Sequence, residues 1–185
     1  MLESGLISYA DGLALQEAAV VDILAGNARD RLILLEHQPV YTIGRLRDQS
    51  SLRDPLRLPH PVVETNRGGQ ATYHGPGQLV GYPILDLRLR GQDLHAHLRM
   101  IEDLLIAACA RFGVTAGRRD GLTGVWVAER KMASIGVGVK KWISMHGFAI
   151  TPCGIDGVTM TSLSQEAACE ISVADFAAVV RELFP

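Results

Sequence analysis

Apolar residues along this chain change their spacing several times, and each change predicts an element. Leu6–Ala10 reads as a short strand. A helix from about Asp11 to Ala25 follows, with Leu15, Ala18, Ala19, Asp22 and Ile23 on one face, Asp11 near its cap and Gly26 as its stop. Arg31–Glu36 is a buried-strand run and Pro39–Gly44 continues into a loop, whereas residues 49–61 hold three of the eight prolines and read as irregular surface. Val62–Thr65 and Leu79–Leu87 predict strands on either side of a glycine-rich run. Between about Asp93 and Phe112, Leu94, Leu98, Ile101, Leu105, Ala108 and Phe112 recur at steps of four and three, which marks one buried helical face. Val125–Ala128, Met132–Val139 and Ile143–Ile150 predict three consecutive strands, with turns at Glu129-Arg130 and Lys140-Lys141. A last helix spans about Val173 to Leu183, with Ser172 as N-cap and Asp175 three residues on. The expected class is α/β of the α+β type: a mixed, mostly antiparallel sheet with flanking helices, in one domain over residues 1–185.

Composition narrows the function. A formal net charge of −2 lacks the basic excess expected of a nucleic-acid binder. Arginines cluster locally at Arg45, Arg47 and Arg53, at Arg88 and Arg90, and at Arg118 and Arg119. Each cluster reads as solvated surface or as a dock for an acidic partner. Three cysteines make no disulfide framework. Glu3, Asp11, Glu17 and Asp22 interrupt the first 26 residues, which therefore predict neither a signal core nor a membrane span. The expectation is a cytoplasmic monomer.

Candidate chemistry concentrates in two places. Residues 67–78 read RGGQATYHGPGQ, four glycines with a cation and an imidazole in twelve residues. Glycine at that density lets backbone approach a ligand closely. The run has neither GxGxxG order nor a GKS/T ending, so a nucleotide loop is disfavoured. Further on, Lys131 opens a strand and Cys153 sits on a Pro-Cys-Gly turn, an amine and a thiol suited to covalent acyl chemistry. Cys109 and Cys169 read as packing residues. Either His74 or His146 could act as a base. His37, His60, His95 and His97 read as loop or helix-surface residues, and no metal or cofactor is expected.

Together these residues resemble the bacterial octanoyltransferases of lipoate biosynthesis, relatives of lipoate and biotin ligases. RGGQATYHGPGQ followed by LVGYPILDL carries the likeness, with EHQPVYTIG upstream and GVWV, RKMASIG, HGFA and PCG downstream in the family's order. The resemblance implies a biotin/lipoate ligase-like fold and a two-step transfer. Cys153 would take an octanoyl or lipoyl group from an acyl carrier protein as a thioester, and a lysine of a lipoyl domain, on a 2-oxoacid dehydrogenase or a glycine-cleavage protein, would then accept it as an amide. Lys131 matches the family's lysine that lowers the thiol pKa and moves the proton. Substrate-lining positions carry over as Arg67, Gly68, Gly69, Gln70, Ala71, Thr72, Tyr73 and His74, then Ser134, Ile135 and Gly136, then Gly147, Phe148 and Ala149. One segment departs from the family's pattern. Only Ile150, Thr151 and Pro152 separate Ala149 from Cys153, a reach of about 11 Å at most. Two alternatives stay open: an ATP-dependent lipoate-protein ligase, and a non-catalytic module that binds acylated carriers.

Overall fold

A computed structural model describes residues 4–47, 58–150 and 160–185. Among these residues, ten strands and four α-helices follow in the order β1 (Ser4–Ile7), α1 (Tyr9–Leu24), β2 (Arg31–His37), β3 (Val40–Ile43), β4 (Val62–Glu64), β5 (Thr72–His74), β6 (Leu79–Ile84), α2 (Leu94–Ala110), β7 (Gly117–Arg119), β8 (Leu122–Val127), β9 (Arg130–Lys140), β10 (Ile143–Ile150), α3 (Leu163–Ala167) and α4 (Val173–Leu183). Seven strands form one sheet in the order β1-β2-β6-β10-β9-β8-β7, and β4-β3-β5 form a second. Only β1–β2 and β3–β4 pair in parallel, so the expected mixed, mostly antiparallel architecture holds.

The large sheet buries both faces. On one, Ala19, Val20 and Ile23 of α1 pack on Ile33, Leu35, Val80 and Ile84. On the other, Ile101, Leu105 and Ala108 of α2 and Phe176 and Val180 of α4 pack on Leu79, Met132, Phe148 and Ile150. The periodicity of α2 and α4 is that of their buried stripes; Ser172 caps α4 as expected, and Asp93 is the N-cap of α2. Helix α1 departs from expectation. It starts at Tyr9, Ser8 is its N-cap, and Gln16 is buried where Leu15 is exposed. The cause is tertiary: the N-terminal half of α1 faces a polar cluster instead of the apolar core.

Three short elements escaped the sequence reading. β5 lies inside the glycine run, β7 pairs with β8, and α3 follows the residues after β10. Both predicted turns shift back or forward by one residue. Ala128-Glu129 joins β8 to β9, and Lys141-Trp142 joins β9 to β10 with φ of 52° and 63°, the two-residue hairpin form that matches strand twist. Cys169 is exposed instead of packed, and His97 is buried instead of on the helix surface.

Most of the arginine clusters are neutralised internally. Arg88 pairs with Asp86, Arg90 with Asp30, Arg118 with Glu102 and Asp103, Arg119 with Glu129, and Arg47 with Glu64. Arg53 lies outside the described residues.

Strands pack closely where β6 meets β10. A Cβ on Gly81 would fall 2.1 Å from the buried Phe148 ring. Gly81→Ala is expected to destabilise the fold by about 3 kcal/mol, the upper range of overpacking costs, as read by urea denaturation.

Candidate active site

The glycine run does not close on a helix N-terminus. It lies across the large sheet. Gly68 N donates to Val137 O at 2.9 Å, and a Cβ on Gly136 would sit 2.7 Å from Gly68 O. Glycine at position 136 is what allows loop and strand backbones to meet. Arg67 holds the loop from inside: its guanidinium donates to Gly68 O, Gln70 O, Thr42 O, Thr42 Oγ1 and Thr72 Oγ1 at 2.8–3.1 Å. Upstream, Glu36 Oε2 accepts from Gly77 N at 2.6 Å and fixes the loop's far end.

Beneath the loop is a cavity of about 330 Å³. Its walls include Gly69, Gln70, Ala71 and Thr72 of the glycine run, Ser134, Ile135 and Gly136 of β9, and Gly147, Phe148 and Ala149 of β10. Lys131, Leu122, Thr123 and Met160 line one end. Tyr9, Arg67, His74, Tyr82 and His146 line the cavity as well. Ala71, Val80 and Ala149 are among its apolar lining residues, so the slot suits an unbranched apolar chain.

Lys131 stands over the Trp126 ring, 5.4 Å from its centroid. Its stem passes Gly124, where a Cβ would fall 2.9 Å from Lys131 Cε, and Gly124 adopts φ of 135°. Gly124 N donates to the buried carboxylate of Glu102, which also takes Arg99 and Arg118 at 2.6 and 2.8 Å. Burial pushes the Glu102 carboxyl up, but the Gly124 N–H and the two arginines outweigh it and hold it below the usual range. A charge pair on α2 thereby shapes the strand that borders the lysine.

The described residues thus bring together most of the positions expected to line a substrate. Two fall elsewhere. Gly68 backs the loop against β9, and Tyr73 turns outward to stack with Tyr41 and His60. The reason for Tyr73 is strand alternation in β5, which sends Thr72 and His74 one way and Tyr73 the other. Cys153 lies outside the described residues.

The Lipoyl protein ligase A/B catalytic domain family matches residues 8–151. An octanoyltransferase of Geobacter sulfurreducens is 50% identical over 196 positions that take in 100% of this chain and 82% of that protein. An octanoyltransferase of Syntrophotalea carbinolica is 50% identical across 95% of this chain and 88% of its own length. This chain belongs to the octanoyltransferase family. The first of these alignments runs longer than the 185 residues here, so the Geobacter enzyme carries positions that this member of the family lacks. Among solved structures, a lipoate-protein ligase A bound with ATP superposes with a TM-score of 0.72 at 13% identity, over 100% of this chain and 82% of that one. A bi-partite lipoate protein ligase from Thermoplasma acidophilum gives 0.68 at 15% identity, over 100% and 83%. At such identities the likeness is one of fold.

What the sequence reading missed in this octanoyltransferase-family site is the polar cluster beside the slot. Tyr82 Oη and His37 Nε2 lie 2.6 Å apart, His74 Nδ1 lies 2.7 Å from Gln78 Oε1, and His74 Nε2 lies 3.2 Å from Thr42 Oγ1. Tyr9 stacks on His74, and Gly12 of α1 leaves room for the His37 ring, whose Cε1 would otherwise be 2.5 Å from a Cβ. Burial drives these imidazoles toward their neutral forms. His74 is pushed down to about 3 and His146 to about 4, both with help from the Arg67 charge, and His37 is lowered too. His97, buried on α2, is lowered to about 4. Both ring nitrogens of His74 are engaged, by Gln78 and by Thr42. The only sequence signal for the cluster was the crowding of His and Tyr at the strand ends; their convergence is tertiary.

Depressed folded-state values fix the sign of a pH effect. Above the unfolded histidine value near 6.5 both states are neutral and stability is full. As pH falls from there toward about 4, the unfolded chain takes up protons that the folded chain refuses, and stability is lost. Unfolding free energies from urea denaturation between pH 7.5 and 4.5 are expected to fall steeply below about 6.5, by up to about 1.4 kcal/mol per pH unit for each such imidazole. His74→Gln should flatten that slope by one histidine's share; an unchanged slope would assign the effect elsewhere.

Proposed function

We propose that this chain is an acyltransferase of protein lipoylation, working as a single catalytic domain that moves an octanoyl or lipoyl group from an acyl carrier protein to a lysine of a lipoyl domain. The observation that carries the reading is an apolar slot that runs under a glycine-rich loop and has a lysine at one end, in a chain half identical to octanoyltransferases over nearly its whole length.

The proposed chemistry uses two residues. Lys131 Nζ takes the proton of the Cys153 thiol, and the thiolate attacks the thioester carbonyl of the acylated carrier. The tetrahedral oxyanion collapses, the carbon–sulfur bond to the carrier breaks, and Lys131 returns the proton to the departing thiol. In the second half the acceptor amine attacks the acyl-cysteine carbonyl, an amide forms, and Cys153 leaves as thiol with its proton restored through Lys131. Backbone N–H groups of the glycine run are suited to hold the oxyanion of each intermediate. A thioester is already activated, so the transfer needs no nucleotide.

Sequence supports the transferase over the ATP-dependent ligase: the relatives at 50% identity are octanoyltransferases, whereas the ligase structures share only the fold. The three-residue connector before Cys153 leaves the carrier-binding module as the second reading, since displacement of the thiol would preserve binding and remove turnover.

Intact-protein mass spectrometry after mixing with octanoyl carrier protein tests all of this. An octanoyl adduct on the parent chain, lost in Cys153→Ser and formed at least about a hundredfold more slowly in Lys131→Met, is the expected result. A folded parent chain that binds the carrier and never acquires an adduct would sink the transferase and leave the binding module.

A further inference from the structure

The cavity is bounded away from Lys131 by a residue with an unusual backbone. His146 sits within β10, yet its φ is 59°, a left-handed value that costs a non-glycine residue stability. The neighbouring strand explains where the distortion falls. Pro83 of β6 has no N–H to give to the ladder. Backbone pairing of β10 with β6 covers Phe148, Ala149 and Ile150, and Ser144 Oγ bonds to Pro83 O instead. Between these, the His146 N–H donates to Gln16 Oε1 of α1 at 2.7 Å.

Gln16 is wholly buried, and its Nε2 has no partner among the described residues. A buried carboxamide satisfied on one side only is a poor way to stabilise a fold. Its one visible effect is to hold His146 in the left-handed conformation. The imidazole then lines the cavity, buried, with Nδ1 also unpartnered among the described residues. Strand register gives the distance from the reacting end. His146 lies opposite Val137, six residues along β9 from Lys131, which is about 20 Å between the backbone positions. Tyr82 borders the same end of the slot, locked by His37.

We propose that His146, held in its left-handed conformation by the buried Gln16, forms the end wall of the acyl slot and sets the longest fatty acyl chain this protein accepts. The inference rests on the transferase reading above. Each methylene of the acyl chain gains by burial until the terminal methyl meets the ring. A further methylene must then displace a side chain whose backbone is fixed by Gln16 on one side and by the β9 ladder on the other. His146 acts here as a specificity residue, remote from the reacting thioester.

His146→Gly removes the ring and suits the left-handed backbone, so the variant is expected to fold. Competition between octanoyl, decanoyl and dodecanoyl carrier proteins gives the ratio of kcat/KM for the twelve-carbon to the eight-carbon chain. That ratio is expected to rise about tenfold or more in His146→Gly. Gln16→Met, which frees the His146 N–H and keeps the ring, is expected to move it in the same direction by less. A merely structural role would lower transfer of all three chains alike and leave the ratio unchanged. Parent-level ratios in both variants, alongside octanoyl transfer by the parent, overturn the inference alone. Failure of the parent to transfer a chain of any length overturns the transferase reading and the inference with it.

Discussion

One buried guanidinium is the constraint on which the site depends. Arg67 joins the small sheet to the glycine loop through oxygens of Thr42, Thr72, Gly68 and Gln70, while its stem crosses Gly136 of the large sheet. A guanidinium offers a planar set of donors that a lysine cannot reproduce, so one side chain can satisfy several buried carbonyl and hydroxyl oxygens at once. The loop that roofs the cavity is therefore anchored from within. A charge that looks available for an anionic ligand is largely engaged by the protein's own oxygens, and its field adds to the burial that keeps His74 and His146 neutral.

The two ends of the cavity are built by different physics. At the Lys131 end, Glu102 takes one backbone N–H and two arginines, and absent side chains at Gly124 leave a path for the lysine stem. At the opposite end, Tyr82 bonds to His37 and His74 to Gln78, two buried pairs whose His37 and His74 rings meet edge to face. Such a cluster is stiff, because displacing any member leaves another polar group unpaired at low dielectric. An open, charge-flanked mouth and a rigid neutral floor are the arrangement expected of a slot that admits a chain from one side.

Strand β10 shows how function and fold share a segment. It is buried along its whole length and central in the sheet, the place where a regular ladder is most favourable. The ladder is nonetheless interrupted opposite Pro83, with a left-handed residue and a glycine whose Cβ would fall 2.3 Å from Gly81 O. Local rules of strand formation are broken next to the cavity and obeyed at Ile143 and Ile150, which close the two cores. Strain of that kind persists only when packing around it is over-determined.

Much of this was legible in the sequence. The stripe of α2, the cap at Ser172, the alternation of strands and the family likeness of residues 67–78 all rest on local patterns, and local patterns survive in one dimension. Tertiary structure decided three further matters. It turned Tyr73 away from the cavity by strand parity, placed Gln16 under His146 across 130 residues of sequence, and gathered Tyr9, His37, His74 and Tyr82 from four elements into one cluster. The physical reason is common to all three. Whether a polar side chain is buried depends on which backbone lies opposite it, and that is fixed by long-range register, which no local spacing encodes.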